Sequence, residues 1–195
     1  MRKQPVQERS QKRLAELMAT AERLIIEQGV ADFSVRAVLR ETGTSMAAYY
    51  EFFPTKAALL RSLVEKYGDQ LNKVIARALI DRRQDTPEQR IDAGLDAIFA
   101  FYVDNPIALR LWPAIHYDNA LSELDRRDTE RNADLLLAFL EDIDASDQSR
   151  ETARWMVMSS CTIMRHAARL DPPAREQLIE KQRMALKALV GITRP

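Results

Sequence analysis

Cysteine is almost missing: the 195 residues hold one, Cys161. An internal disulfide and a cysteine-cluster zinc site are therefore excluded. The two histidines, His116 and His166, stand 50 positions apart, too few and too separated for a histidine metal site. No metal or other cofactor is expected. Glycine is scarce as well, with five residues. An all-β domain needs turn signals every 8–12 residues or so, which this glycine supply does not furnish. Neither G-x-G-x-x-G nor G-x-x-x-x-G-K-[ST] occurs, so no glycine loop cradles a phosphate. Apolar runs such as Leu135–Leu140 are far short of the roughly 20 residues of a membrane span, so no membrane partner is expected. Met1-Arg2-Lys3-Gln4 is charged, but no apolar stretch follows it, which argues against a secretory leader. Net charge is zero, from 29 basic and 29 acidic residues. The balance of 46% hydrophobic and 30% charged residues predicts a soluble, reduced, cytoplasmic, all-α protein.

Charge is not spread evenly. Residues 1–56 carry nine Lys and Arg against seven Asp and Glu, and the remainder carries 20 against 22. The excess gathers at the start, where Arg2, Lys3, Arg9, Lys12 and Arg13 face only Glu8. A basic segment beside a neutral body suits local contact with phosphates.

Apolar residues recur at three- and four-residue steps through most of the chain. Leu14, Leu17, Met18, Ala21, Leu24 and Ile25 predict a helix over about 8–28, ended by Gly29. Ser34 opens a short helix over 35–42 and Ser45 another over about 46–52, with Gly43 between them. A long amphipathic helix follows to about 82. Thr86-Pro87-Glu88-Gln89 is a capping box with proline at the first helical position. Asn105-Pro106 opens a helix to about 117, bent or interrupted at Pro113. Further helices are expected over about 121–143, 149–170 and 174–190. About nine helices result: three short ones at the N-terminus, a long connector, and a larger bundle. The functional boundary falls inside the connector near residue 56, separating residues 1–56 from 57–195.

Ser34–Lys56 reads SVRAVLRETGTSMAAYYEFFPTK. Two short helices joined by Thr42-Gly43-Thr44 have the helix-turn-helix layout. The second helix of such a pair enters a major groove with its N-terminal residues at the base edges. Ala47 and Ala48 are small enough for close approach. Ser34 and Ser45 offer hydroxyls and helix N-terminal amides to phosphate, Tyr50 a phenol and Lys56 a charge.

These residues stand in register with others: Ala21-Glu22-Arg23-Leu24-Ile25 with Glu27 and Gly29, Phe33-Ser34-Val35-Arg36, Thr42-Gly43-Thr44-Ser45, Tyr49-Tyr50-x-Phe52-Phe53, and Lys56-x-x-Leu59-Leu60. Over about residues 13–64 the series resembles the TetR family of bacterial transcriptional regulators. The resemblance implies a two-domain, all-α homodimer. Its N-terminal helices bind double-stranded operator DNA, and its bundle binds a small-molecule effector. It implies base or phosphate contact by Arg36, base reading by Met46 and Ala47 beside Thr44, and phosphate contacts by Ser34, Ser45, Tyr50 and Lys56. It assigns Phe33, Val38, Leu39, Tyr49 and Phe53 to the core of the small domain. Three positions depart from the family pattern: Met46 stands where a polar residue is common, Ala47 where glycine is common, and Phe52 where histidine or tyrosine reaches phosphate. The reading surface is apolar, which favours thymine methyl groups and leaves Arg36 to read guanine.

For the effector, large adaptable side chains collect over 86–170. Phe99, Tyr102, Trp112, His116, Phe139, Trp155 and Met158 are the candidate ligand contacts, suited to an apolar or amphipathic molecule lodged between helices. Small residues around Cys161 allow close helix packing, so the homodimer surface is expected over 149–170 and 174–190. An enzyme finds no support, since no nucleophile stands with a base and no metal cluster is present. The competing expectation is a helical adaptor whose helix-turn-helix no longer reads DNA. Within the regulator reading, a repressor is the commoner case in the family.

Overall fold

The computed structural model describes residues 3–115 and 118–191, with the side chains of residues 3–7 and of Pro113 outside the description. Nine helices and no strand occur among the described residues: α1 (Lys3–Asp32), α2 (Val35–Thr42), α3 (Met46–Tyr50), α4 (Lys56–Leu79), α5 (Pro87–Asp104), α6 (Pro106–Ile115), α7 (Asn119–Asp142), α8 (Arg150–Ala167) and α9 (Pro172–Leu189). None of them is long and apolar enough to cross a membrane.

Caps explain most boundaries. The Ala37 amide donates to Ser34 Oγ (3.3 Å) and the Ala48 amide to Ser45 Oγ (3.2 Å). The Ala58 amide donates to Thr55 Oγ1, and the Thr152 amide to Ser149 Oγ. Thr86 and Gln89 close the expected capping box at the start of α5. Gly43 lies at φ 62°, the left-handed conformation a helix C-terminus needs and other residues resist.

Some boundaries differ from the sequence reading. Helix α1 begins at Lys3, so the basic start is helical, and Gly29 (φ 84°) interrupts it one turn before its end. Helix α3 stops at Tyr50, because the Phe52 and Phe53 amides both turn back to the Tyr49 carbonyl. Helix α4 ends at Leu79 rather than 82, its last carbonyl met by a buried guanidinium described below. Helix α7 starts at Asn119, two residues early, because Asp118 Oδ1 accepts from the amides of Ala120 and Leu121.

The chain forms two compact units. One comprises residues up to Lys66 together with Pro106–Leu121, and the other Tyr67–Asn105 with Ser122 onward. The first therefore reaches ten residues past position 56 and recruits α6. In it, Leu17, Ala21, Leu24 and Ile25 of α1 are buried, and α6 packs on α1 with Ile107, Ala108, Leu111 and Ile115 buried. The second unit sets α5 against α8 and α9 around Leu95, Tyr102, Phe139, Met156 and Leu186. In the densely charged middle of α7, Asp128 is half-buried, and its carboxyl reaches the surface that Gly68 leaves open on α4. Any side chain at position 68 would collide with it.

Candidate nucleic-acid interface

The reading head is built outward from an apolar centre. Phe33, Val38, Tyr49, Phe53 and Leu59 are buried, and Leu39 is half-buried. Tyr49, Tyr50 and Phe53 stack around the end of α3 with ring centroids 5.6 Å apart in each pair with Tyr49. Burial pushes the Tyr49 phenol up to about 12, and its hydroxyl has no hydrogen-bond partner.

With Tyr49 turned inward, the helical period turns its neighbours outward. Met46 is 41% and Tyr50 53% exposed, and Ala47, Ser45, Ser34 and Arg36 are exposed beside them. Thr44 is half-buried at the turn. Arg36 makes no ion pair or hydrogen bond within the described residues, so its five donors are available to an acceptor from outside. The Ser34 and Ser45 hydroxyls each accept one amide and can still donate. Seven of the eight expected DNA contacts thus share one small domain without internal commitments that would prevent contact.

Lys56 is the exception. Its Nζ donates to the carbonyls of Val30 (3.1 Å) and Phe33 (2.6 Å) and stands 5.3 Å from the Phe33 ring centroid. It ties the start of α4 to the segment between α1 and α2, satisfying carbonyls left over where α1 ends. One donor of the ammonium remains. Nothing in the spacing of Lys56 signals this internal role, because its partners are backbone atoms 23 and 26 residues away. Outside this centre, Arg23 pairs with Glu27 and Glu41 across α1 and α2, and Lys66 pairs with Glu22.

The second unit contains an apolar crevice whose free space, including the part open to solvent, is about 410 Å³. Ile75 and Leu79 of α4, Ile91 and Ile98 of α5, Leu136 of α7 and Leu186 of α9 form its walls. Ser160 and Cys161 of α8 are its only polar lining groups, and Gly94 opens one side. None of the six described residues singled out for a ligand lines it. Tyr102 and Phe139 are completely buried, Phe139 beneath the Arg90 guanidinium (4.7 Å). Phe99 lies under Arg175 (5.6 Å). Trp112 belongs to the first unit, and His116 lies outside the described residues. Trp155 and Met158 are 47% and 59% exposed. The physical reason is size: the largest side chains fill space, whereas a void is lined by medium aliphatic ones at adjacent helical positions, such as Met156 and Val157.

Arg90 is the functional-looking residue that sequence reasoning missed. It is buried, donates to the Leu79 carbonyl through Nε (2.9 Å), and pairs with Asp142 (2.6 Å). It closes the end of α4, and its hydrogen bond holds the Asp142 carboxyl below its ordinary range. No cluster of three or more metal-ligating side chains occurs among the described residues.

Comparison with known proteins agrees with this architecture. The family described as "Bacterial regulatory proteins, tetR family" matches residues 17–63, and "Tetracyclin repressor-like, C-terminal domain" matches residues 85–190. The chain is 29% identical over 98 residues to the HTH-type transcriptional regulator EthR of Mycolicibacterium smegmatis, covering 50% of this chain and 45% of that protein. It is 32% identical over 103 residues to the nucleoid occlusion factor SlmA of Vibrio vulnificus, covering 53% and 52%. The chain thus spans about half the length of these curated relatives. A tetR-family regulatory protein from Rhodococcus RHA1 superposes with TM-score 0.72 at 14% identity, over 94% of this chain and 99% of that one. A TetR regulator from Haloarcula marismortui gives TM-score 0.67 at 22% identity, over 93% and 97%. These two share the fold. With a helix-turn-helix head and a matching C-terminal domain over most of its length, the chain belongs to the tetR family of bacterial regulatory proteins, a family of DNA-binding transcription regulators.

Proposed function

We propose that this regulator acts as a homodimer on a two-fold symmetric operator, as a repressor, and that a small apolar or amphipathic molecule alters its grip. Residues 1–56 are the DNA-binding part of this reading, and 57–195 the ligand-binding and dimerising part. The observation that carries it is the outward face of the head. Arg36 is unpaired, hydroxyl donors flank it at Ser34, Ser45 and Tyr50, and Met46 and Ala47 stand exposed between them. A cation and hydroxyls suit phosphate and guanine, and exposed methyl groups suit thymine.

The dimer rests on a second observation. On α8, Trp155, Met158, Thr162 and His166 are exposed at three- and four-residue steps. On α9, Lys181, Met184 and Ala188 repeat the pattern, with Met184 62% exposed. Large apolar side chains in an exposed stripe favour a partner. A second copy covers each stripe with its own counterpart in an isologous interface. The effector acts only if it binds the DNA-incompetent state better, by a few kcal/mol for a sizeable shift. Helix α4 carries residues of both units and is the element through which that preference is felt.

The test is a binding series over single-base operator variants. Arg36→Ala is expected to cost about 1–3 kcal/mol and to relax specificity at one base pair, while Met46→Ala weakens preference for thymine at its own position. Equal weakening on every sequence would make Arg36 a phosphate contact. Binding that shows no decline with salt would favour the adaptor reading.

A further inference from the structure

The crevice of the second unit is selective in its chemistry. Its lining includes no charged residue. Of its two polar groups, the Ser160 hydroxyl already accepts from Gln182 Nε2 (3.4 Å), which also donates to Ser159 Oγ (2.9 Å). The other is the Cys161 thiol, which burial pushes up to about 12, so it stays neutral. The charges that act on Cys161 come from Arg165 and Asp125, which have opposite signs and do not line the crevice. A formal charge placed here loses its water and gains no partner.

Gly94 supplies an independent observation. It sits inside α5 with ordinary helical backbone, so no left-handed conformation requires it. A Cβ added there would meet Leu79 Cδ2 at 3.6 Å, an ordinary contact, so no close approach requires it either. Glycine inside a helix is less stable than alanine. What its absent side chain does provide is free space on the crevice wall.

We propose that this crevice binds a small, neutral, apolar molecule, that it rejects charged analogues of the same shape, and that Gly94 sets the size it admits. The proposal rests on the ligand-responsive reading above and names the class of effector. The occupant is an unbranched alkyl chain or a single aromatic ring without a carboxylate, phosphate or ammonium group.

The experiment uses the purified full chain and two matched pairs of probes, 1-octanol with octanoate and toluene with benzoate. The methyl NMR signal of Met156, which lines the crevice, reports occupancy. Thermal melting reports binding independently. The neutral member of at least one pair is expected to shift the Met156 signal and raise the melting temperature, with its charged partner about 100-fold weaker or more. Gly94→Leu should remove both responses, while Gly94→Ala, which fits the helix, remains folded and keeps the response to the narrower probe. Charged probes binding as well as neutral ones would overturn the proposal. So would a folded Gly94→Leu protein that responds like the parent, or no response to either neutral probe. A neutral probe that shifts the Met156 signal but leaves DNA binding unchanged would uphold the ligand class and refute the ligand-responsive reading.

Discussion

The two units solve the problem of burial differently. In the first, the buried residues Phe33, Val38, Tyr49, Phe53 and Leu59 are apolar or aromatic, with the Tyr49 hydroxyl enclosed among them. In the second lie all six buried polar or charged residues among those described, Asn72, Arg90, Asn132, Thr152, Ser160 and Gln182. It also holds the crevice and the uncovered Trp155, Met158 and Met184. A head that must present fixed donors to DNA gains from a sharply sorted core. On the proposed reading, a bundle that admits a molecule and a partner copy keeps a void and an apolar face, and holds its helices with specific polar ties. One such tie is a chain in which Asn132 donates to Asn72 and Asn72 donates to Asp128.

The strongest way to break this comparison is to empty the sorted core. Phe33→Ala should destabilise the head by about 3–5 kcal/mol and abolish DNA binding, because the cavity sits beneath both short helices. Urea denaturation followed by circular dichroism measures it, and a loss below 1 kcal/mol or so would show the core is not tight. Next in size is the uncovered face of α8. Trp155→Glu should weaken self-association by about 30-fold or more, read by sedimentation velocity, without lowering the stability of the single chain. Arg90→Met tests the polar ties. It leaves the Leu79 carbonyl without its donor and should cost about 1–3 kcal/mol, measured by urea denaturation.

The smallest effect carries a definite sign. Burial raises the folded Asp128 carboxyl above its ordinary value, against the opposing hydrogen bond from Asn72. Stability from its protonated form is therefore present below the unfolded value, about 3.9, and is lost as pH rises through the folded one. Asp128→Asn imitates the protonated form. It should be slightly more stable than the parent at pH 7, with the difference shrinking as pH falls toward 4. A variant less stable at pH 7 would show that the carboxylate is held by attraction rather than tolerated.

How much was legible in the sequence follows the same division. Ser34, Ser45, Thr86 and Ser149 announce their helices because a cap is a local event, and the turn at Gly43 is equally local. The exposed set of the head follows from one inward-facing residue, Tyr49, and the helical period. Long-range pairings leave no such mark. Lys56 bonds to carbonyls more than 20 residues away, and Arg90 reaches Asp142 52 positions on. The lining of the crevice was not legible for a related reason. Aromatic and methionine side chains draw attention by size, but Tyr102 and Phe139 fill the interior, while absence of bulk at Gly94 shapes the void.

Selection from a pool of random duplexes is the most direct test of the central claim, that the outward face of the head reads a symmetric operator as a dimer. Recovered sequences should converge on an inverted repeat whose half-sites lie about one helical turn, or a multiple of it, apart. Arg36→Ala should lose one base preference symmetrically from both halves. Recovery of a single unrepeated half-site, or of no common sequence while binding still falls with salt, would contradict the account.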